Sequence, residues 1–435
     1  MAFKISIKTS LPGPKSTKIL DALQKRNGGW SISYPFVHSS KGEGCFFTDI
    51  DGNTFLDFGS QIASNPLGYN HPTLLRLSKE YLGRSPLKFA GQDFTVKEHL
   101  HLLEELASIT PKHIDAGFLI NSGAEAVENA IKVALRSKPT AKLGISFTGA
   151  FHGRTLGALS CTNSKVVHKK HYLGINMRRL PFDKTASERF EELLQTDVAP
   201  EDVGFIIVEP IQGEGGYRIA SKKMMTETRK IAKQHHIPFI ADEVQSGIGR
   251  TGQWWAFEHF GIEPDIISTA KALQVGATLA NKKLFPAEPG AISSTWGGGH
   301  VLDMANGIAT IQTIKKDKLL MKNTQHGSYL RKGLQEITSK NSFVSNIRGL
   351  GLMNAFDLQT KKMRDDLVLQ LLKQGVVVLG CGKMGIRILP PYIVEKKELD
   401  LFSGELEKAL SVCNKKGSVH TGAICNYGMC AEGHS

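Results

Sequence analysis

The amino-acid sequence predicts an α/β protein: a mostly parallel, doubly wound large domain, with a smaller α+β domain built from the N- and C-terminal segments. Three observations carry this reading. The runs Gly204-Phe205-Ile206-Ile207-Val208 and Pro238-Phe239-Ile240-Ala241 are too continuously apolar for half-exposed strands and fit a parallel sheet covered on both faces by helices. From about residue 76 to 310, such strands alternate with helix-like stretches, as a doubly wound layer requires. Three runs end in a charged residue, at Glu209, Asp242 and, after Asp265-Ile266-Ile267-Ser268-Thr269-Ala270, at Lys271. In open sheets of this kind ligands bind beyond the carboxyl ends of the strands.

In chain order, the segment 36–75 holds two short strand-like runs, Gly44-Cys45-Phe46-Phe47-Thr48-Asp49 and Thr54-Phe55-Leu56-Asp57-Phe58. The turn Asp51-Gly52-Asn53 between them reads as that of a hairpin. Gly117-Phe118-Leu119-Ile120 is a strand, followed by Asn121-Ser122-Gly123-Ala124-Glu125-Ala126 and a helical run through Val127, Ala130, Ile131, Val133 and Ala134. That turn presents helix N-terminal N–H groups to an anion, or is an ordinary start capped by Asn121 or Ser122. Leu143-Gly144-Ile145-Ser146-Phe147 is another buried strand, running into Gly149-Ala150-Phe151-His152-Gly153-Arg154-Thr155. Phe151 there can stack on a flat heteroaromatic ring or pack in the core, and His152 reads equally as a satisfied buried imidazole. Arg154 is a planar fork suited to bidentate capture of a carboxylate, held by Glu209 or another acid when no substrate is bound.

Beyond residue 310 come a long helix near Met304 to Ile337, strands around Val344 to Phe356 and Val376 to Leu379, and a last helix from about Glu395 to Val412. The resulting division is 1–75, 76–310, 311–416 and a flexible tail at 417–435. At 435 residues and 41% apolar content, the chain buries a large core in more than one folding unit.

An acid, a second acid and a lysine at one sheet edge suit pyridoxal phosphate chemistry: the lysine forms a Schiff base, and an acid keeps the pyridine nitrogen protonated. Four segments then occur in register: Asn121-Ser122-Gly123-Ala124-Glu125, Phe151-His152-Gly153-Arg154-Thr155, Glu209-Pro210-Ile211-Gln212-Gly213-Glu214-Gly215-Gly216, and Asp242-Glu243-Val244-Gln245-Ser246-Gly247-Ile248-Gly249-Arg250-Thr251-Gly252. In order and spacing they resemble the motif series of class III aminotransferases, fold type I enzymes dependent on pyridoxal 5'-phosphate. The resemblance runs from near Leu11-Pro12-Gly13-Pro14-Lys15 to about Lys408, nearly the whole chain.

The resemblance implies a role for each matching residue. Gly123 and Ala124, beside Ser122, would hold the cofactor phosphate, and Phe151, beside His152, and Val244 would cover the two ring faces. Asp242 would bind the pyridine nitrogen, Gln245 the ring hydroxyl oxygen, and Lys271 would be the Schiff-base lysine and proton shuttle. Thr295 resembles the threonine that reaches the phosphate from a neighbouring subunit, which makes the active unit a homodimer. Arg387 resembles the arginine that binds the α-carboxylate of glutamate or 2-oxoglutarate, and Glu214 the acid that pairs with it. Together they form a switch: Glu214 covers Arg387 for an ω-amine donor and releases it for a dicarboxylate, whose distal group meets Arg154. Glu209 and Ile62 complete the substrate-binding set.

The implied reaction moves the terminal amine of an ω-amino acid to 2-oxoglutarate, in two halves with ping-pong kinetics. The donor is of the 4-aminobutyrate or L-lysine type. Ala272-Leu273-Gln274-Val275-Gly276-Ala277 and Trp296-Gly297-Gly298-Gly299-His300 look more like lysine 6-aminotransferases, whereas Gly59-Ser60-Gln61-Ile62-Ala63 looks more like 4-aminobutyrate aminotransferases. A racemase or aminomutase on the same scaffold is the alternative, and the Arg154, Glu214 and Arg387 set favours transfer over it.

The formal charge of +13, from 54 basic and 41 acidic residues, does not indicate nucleic acid. The basic residues are dispersed and no nucleic-acid motif accompanies them, while a positive field also attracts dicarboxylates. No apolar run approaches bilayer length, and the N-terminus lacks the apolar core of a secretory signal. Met1 to Arg26 is basic with only Asp21 acidic, a pattern shared with transit peptides, but the family-like Leu11 to Lys15 stretch places the start of the fold within it. Six scattered cysteines do not make a disulfide scaffold, and a reducing cytoplasm follows. His420, Cys425, Cys430 and His434 lack the spacing of a structural zinc site, so no metal is expected.

Overall fold

The computed structural model describes residues 3–28, 33–83, 93–294 and 296–415, with 414 and 415 described by backbone alone. The chain splits into two units, Met1–Pro72 with Lys322–Ser435, and Thr73–Met321.

The second unit is built on a seven-stranded sheet. Its strands are β1 (Ala116–Ile120), β2 (Leu143–Phe147), β3 (Met177–Leu180), β4 (Val203–Val208), β5 (Phe239–Asp242), β6 (Ile266–Thr269) and β7 (Gly276–Ala280). Their order across the sheet is β1-β7-β6-β5-β4-β2-β3. β7 alone is antiparallel to its neighbours, so the other six point their carboxyl ends to one edge. Every residue of β2, β4, β5 and β6 is buried, which is why those segments read as unbroken apolar runs.

Helix α1 (Gly123–Ser137) turns Val127, Ala130, Ile131, Val133 and Ala134 onto this sheet, against Phe205, Ile207, Ile240 and Ile266. Its apolar spacing gives one continuous stripe, and each fully buried Val or Ile contributes about 2 kcal/mol. Helix α2 (Lys222–Gln234) is pinned by Arg229, whose Nη1 and Nη2 donate to Asp265 at 2.8 and 2.7 Å. Asp265 also accepts the Phe239 N–H at 2.8 Å, so one carboxylate ties α2 to the start of β5.

The expected long helix near 304–337 is two helices, α3 (Val301–Lys316) and α4 (Leu319–Ser339). The break is at Asp317-Lys318: the Asp317 N–H closes α3 on Thr313 O, and Lys318 adopts φ +54°.

In the first unit, Phe46–Asp49 and Thr54–Asp57 form the expected hairpin, with Phe47 opposite Phe55. Asp49 Oδ1 accepts the N–H groups of Asp51 and Asn53, and Gly52 takes φ +87°, as a glycine tolerates. Strand His38–Glu43 extends this sheet on one side and Val376–Val377 on the other. A second antiparallel sheet holds Val344–Leu350, Met353–Leu358, Gly385–Ile388 and Leu379–Cys381. After Asp57 the chain makes a left-handed turn over Ser60–Ala63. For L-residues this conformation costs roughly 1–2 kcal/mol each.

Candidate active site

Strand register places the charged ends together. Ala241 pairs with Val208 and Asp242 with Ser268, so Glu209, Asp242 and the turn carrying Lys271 follow three adjacent strands. Lys271 has φ +47° and opens a short 3₁₀ turn that ends at Leu273, with Gln274 in the left-handed region after it.

Asp242 is buried. Its Oδ2 lies 2.7 Å from His152 Nδ1, and its Oδ1 accepts the Val244 N–H at 3.1 Å. The His152 side chain is fully enclosed, and its Nε2 is buried with no hydrogen-bond partner among the described residues. The Asp242–His152 pair therefore fixes both side chains with little freedom.

Glu209 departs from expectation. Its carboxylate does not hold Arg154: Oε1 accepts the Phe151 N–H at 2.9 Å and Oε2 the Gly213 N–H at 2.8 Å. Both amides belong to segments that follow sheet strands, and the acid they hold is buried. Burial pushes its carboxyl up to about 7, against the pull of His152; Asp242 adds to the rise, and the two amide bonds oppose it. Arg154 is exposed, with its guanidinium 5.8 Å from the centre of the Phe151 ring, and it makes no ion pair among the described residues.

Ser122 is the N-cap of α1. Its Oγ accepts the Glu125 N–H at 3.2 Å and donates its own proton to Glu125 Oε2 at 2.8 Å. That leaves the Gly123 and Ala124 N–H groups at the helix start, where no intrahelical carbonyl reaches them. Gly123 is close to Val244: a Cβ there would lie 2.7 Å from Val244 Cγ1. Gly153 is equally tight, its φ of +136° and the 2.9 Å from a built Cβ to Ala124 Cβ admitting only glycine.

Gln245 is half-buried with its Oε1 lacking a partner among the described residues. Glu214 lies in the turn of the hairpin Ile211–Gln212 and Arg218–Ile219. Arg387 and Ile62 belong to the other unit. Arg387 is buried at the middle of the second antiparallel sheet, between Ala355 and Leu379, and Ile62 is exposed. Thr295 and the tail at 417–435 lie outside the described residues. Among those described, no cluster of His, Cys, Asp and Glu could hold a metal ion, and no helix is long and apolar enough to cross a membrane.

Glu243 belongs to none of the roles that the sequence motifs imply, although an acid directly after a buried strand is a signal in the sequence. It is fully buried, accepting Ser246 Oγ at 2.6 Å and the Phe257 N–H at 2.9 Å. It thus fastens the loop carrying Val244 and Gln245 to the segment Ala256–Phe260. Burial pushes its carboxyl from 4.5 up to about 7, opposed by Ser246 and the Ala256 and Phe257 amides. Between those pH values the folded chain holds more protons than the unfolded one, so stability falls as pH rises from about 4.5 to about 7. The shift corresponds to about 3 kcal/mol. Glu243→Gln should remove this dependence: between pH 5 and 8, the stability difference should move by about 3 kcal/mol in the variant's favour. Denaturant melts across that range check it, and a constant difference would place the Glu243 carboxyl near its ordinary value.

These features fit pyridoxal phosphate. Free N–H groups at Gly123 and Ala124 suit its phosphate, and buried Asp242 suits a protonated pyridine nitrogen.

The sequence profile of Aminotransferase class-III matches residues 31–410. Mitochondrial 4-aminobutyrate aminotransferase of Rattus norvegicus is 31% identical over 457 aligned residues, covering 92% of this chain and 90% of its own. Acetylornithine aminotransferase of Caldanaerobacter subterraneus is 35% identical over 383 residues, covering 85% of this chain and 94% of its own. Among solved structures, lysine aminotransferase from M. tuberculosis in the internal aldimine form superposes with a TM-score of 0.85 at 28% identity, covering 92% of this chain and 99% of that one. With the same motifs gathered at one sheet edge, this chain belongs to the class-III aminotransferase family and is a pyridoxal-phosphate-dependent transaminase.

Proposed function

We propose that this enzyme moves the terminal amine of an ω-amino acid, of the 4-aminobutyrate or L-lysine type, to 2-oxoglutarate, yielding a semialdehyde and glutamate. The observation that carries the dicarboxylate part is Arg154, an exposed guanidinium beside the Phe151 ring with no ion pair among the described residues. An arginine so placed is available to a carboxylate at the far end of a substrate. Relatives named for 4-aminobutyrate and lysine support the ω-amine part.

Pyridoxal phosphate, when bound, supplies an electron sink for the carbon that loses its proton. In this reading the Gly123 and Ala124 N–H groups, steadied by the Ser122 cap, bind its phosphate, while Phe151 and Val244 bracket the ring. Gln245 donates to the ring hydroxyl oxygen. Asp242 holds a proton on the pyridine nitrogen, with His152 orienting the carboxylate through its 2.7 Å contact. Lys271 Nζ would hold the cofactor and, as a neutral amine, would take the proton from the substrate carbon that bears the amine. Glu209 acts here as the support of the Phe151 and Gly213 backbone. Arg387 receives the α-carboxylate, Glu214 covers it while an ω-amine donor is bound, and Ile62 meets the donor's aliphatic chain. The active unit is a homodimer in which Thr295 reaches the neighbouring phosphate, and the compartment is the cytoplasm.

The test mixes purified, cofactor-loaded enzyme separately with 4-aminobutyrate, L-lysine, L-ornithine and L-glutamate, following the cofactor's visible absorbance. Glutamate and one ω-amino acid should bleach it, and 2-oxoglutarate should restore it. Bleaching by α-amino acids alone would sink the ω-amine reading; recovery only with a monocarboxylic 2-oxo acid would sink the acceptor.

A further inference from the structure

The helix Leu156–Cys161 follows directly on the loop Phe151–Arg154 and is six residues long, too short to stand without outside support. Its N-cap is Thr155, a residue type that caps well, yet the Thr155 side chain makes no capping bond. The two amides that such a side chain would take, those of Gly157 and Ala158, go to another helix. Glu128 Oε1, borne by α1, accepts the Gly157 N–H at 2.7 Å and the Ala158 N–H at 3.0 Å. Position 157 is fitted to this acid, since a Cβ there would run into Glu128 Oε2. Four residues earlier on both segments the pairing recurs: a Cβ at Gly153 would lie 2.9 Å from Ala124 Cβ. Residues four apart share one side of a helix, so the side of α1 from Ala124 to Glu128 runs along 153–157. The far end of the short helix is tied back to the same loop. Thr162 Oγ1 accepts the His152 N–H at 3.0 Å and donates toward Gly153 O at 3.1 Å. Arg179 Nη2 and Lys169 Nζ donate to the carbonyls of Ser160 and Thr162, where positive charge suits a helix C-terminus. Loop and helix are thus one piece, and Glu128 joins that piece to α1.

We propose that Glu128 is a positioning residue that sets the spacing between the two halves of the cofactor site: the phosphate cradle at the start of α1, and the loop that carries Phe151 and His152. This rests on the reading above in which the Gly123 and Ala124 N–H groups take the cofactor phosphate and Phe151 covers the ring. A bound cofactor spans both halves, so a spacing fixed beforehand spares it the cost of ordering them. Capping by Thr155 would steady the short helix without fixing that spacing. A carboxylate from α1 does both.

Three variants separate this bridge from a plain cap. Glu128→Ala removes both. Glu128→Ala with Thr155→Asn returns a good capping side chain to the two amides and leaves α1 unattached. Gly157→Ala drives the carboxylate from its seat while placing a better helix former in the turn. Each apo-protein is titrated to equilibrium with pyridoxal phosphate, and its thermal melt is recorded alongside. Glu128→Ala should raise Kd about tenfold, within the range of coupling between two sites, and lower Tm. The double variant should recover Tm and keep the weakened Kd, and Gly157→Ala should weaken Kd to a similar degree. Recovery of both quantities in the double variant would make Glu128 a cap and overturn the bridge, as would an unchanged Kd in Glu128→Ala. If the double variant recovers neither, or Glu128→Ala does not fold, Gly157→Ala decides, and a parental Kd there overturns the bridge. Hydrogen exchange in the parent tests the cradle by itself: bound pyridoxal phosphate should slow the amides of the peptide 121–127, and without that slowing the cradle reading falls and the bridge with it.

Discussion

Lys271→Ala should lower kcat/KM by about four orders of magnitude, the upper end of what one positioned proton-transfer group supplies. Lys271 lies at the carboxyl edge of the central strands, just beyond β6 and next to the strand that ends in Asp242. Its backbone is at φ +47°, a value that costs alanine no more than lysine. The fold should therefore survive, with stability within about 1 kcal/mol of the parent. Steady-state rates and thermal melts on the same preparation separate the two effects. Borohydride reduction of the parent followed by peptide mapping should put the cofactor's mass on the peptide containing Lys271. Activity within tenfold of the parent, or the mass on another peptide, would remove Lys271 from its role.

Asp242→Asn should cost about a thousandfold in kcat/KM, within the range for removing a fixed charge aimed at the reacting system. Asparagine keeps the volume and an acceptor for the Val244 N–H, now at 3.1 Å from Oδ1. What it loses is the negative charge, which leaves the pyridine nitrogen without a partner that holds its proton and His152 Nδ1 without an anion at 2.7 Å. Cofactor affinity should fall as well, so the check needs equilibrium titration of the apo-protein with pyridoxal phosphate beside rates at saturating cofactor. A variant with full kcat at saturation would show that Asp242 serves binding alone.

The parts of this structure legible in the sequence are those that local chemistry dictates. Strands buried on both faces, β4 and β5 above all, have to be continuous apolar runs, and the hairpin turn at Asp51-Gly52-Asn53 advertises itself through its residue types. The break between α3 and α4 carries no such mark, because Asp317 and Lys318 are residue types that helix surfaces hold equally well. The turn at Ser60–Ala63 was equally hidden: a left-handed stretch without glycine is set by Asp57 and Tyr69, which no local rule connects to it. Glu209 sits at the expected edge, bonded to backbone amides where the sequence suggests that it or another acid holds Arg154. Its position follows from the end of β4, while its partners follow from where two distant loops return, bringing the Phe151 and Gly213 amides to its oxygens.

The lone antiparallel strand, β7, changes how Lys271 is delivered. In a strictly parallel sheet the chain leaving β6 would enter a crossover, and its position would depend on a helix docking elsewhere. Here the chain turns straight back, and Thr269 faces Ala277 across the next ladder. The connection Ala270–Val275 is therefore a closed loop with both ends stitched into neighbouring strands, so the entropy of fixing it was spent when that ladder formed. Cutting the chain in one of the long crossovers, as in a circular permutant, would leave this loop's closure untouched, whereas lengthening Ala270–Val275 by even a few residues would loosen the lysine directly.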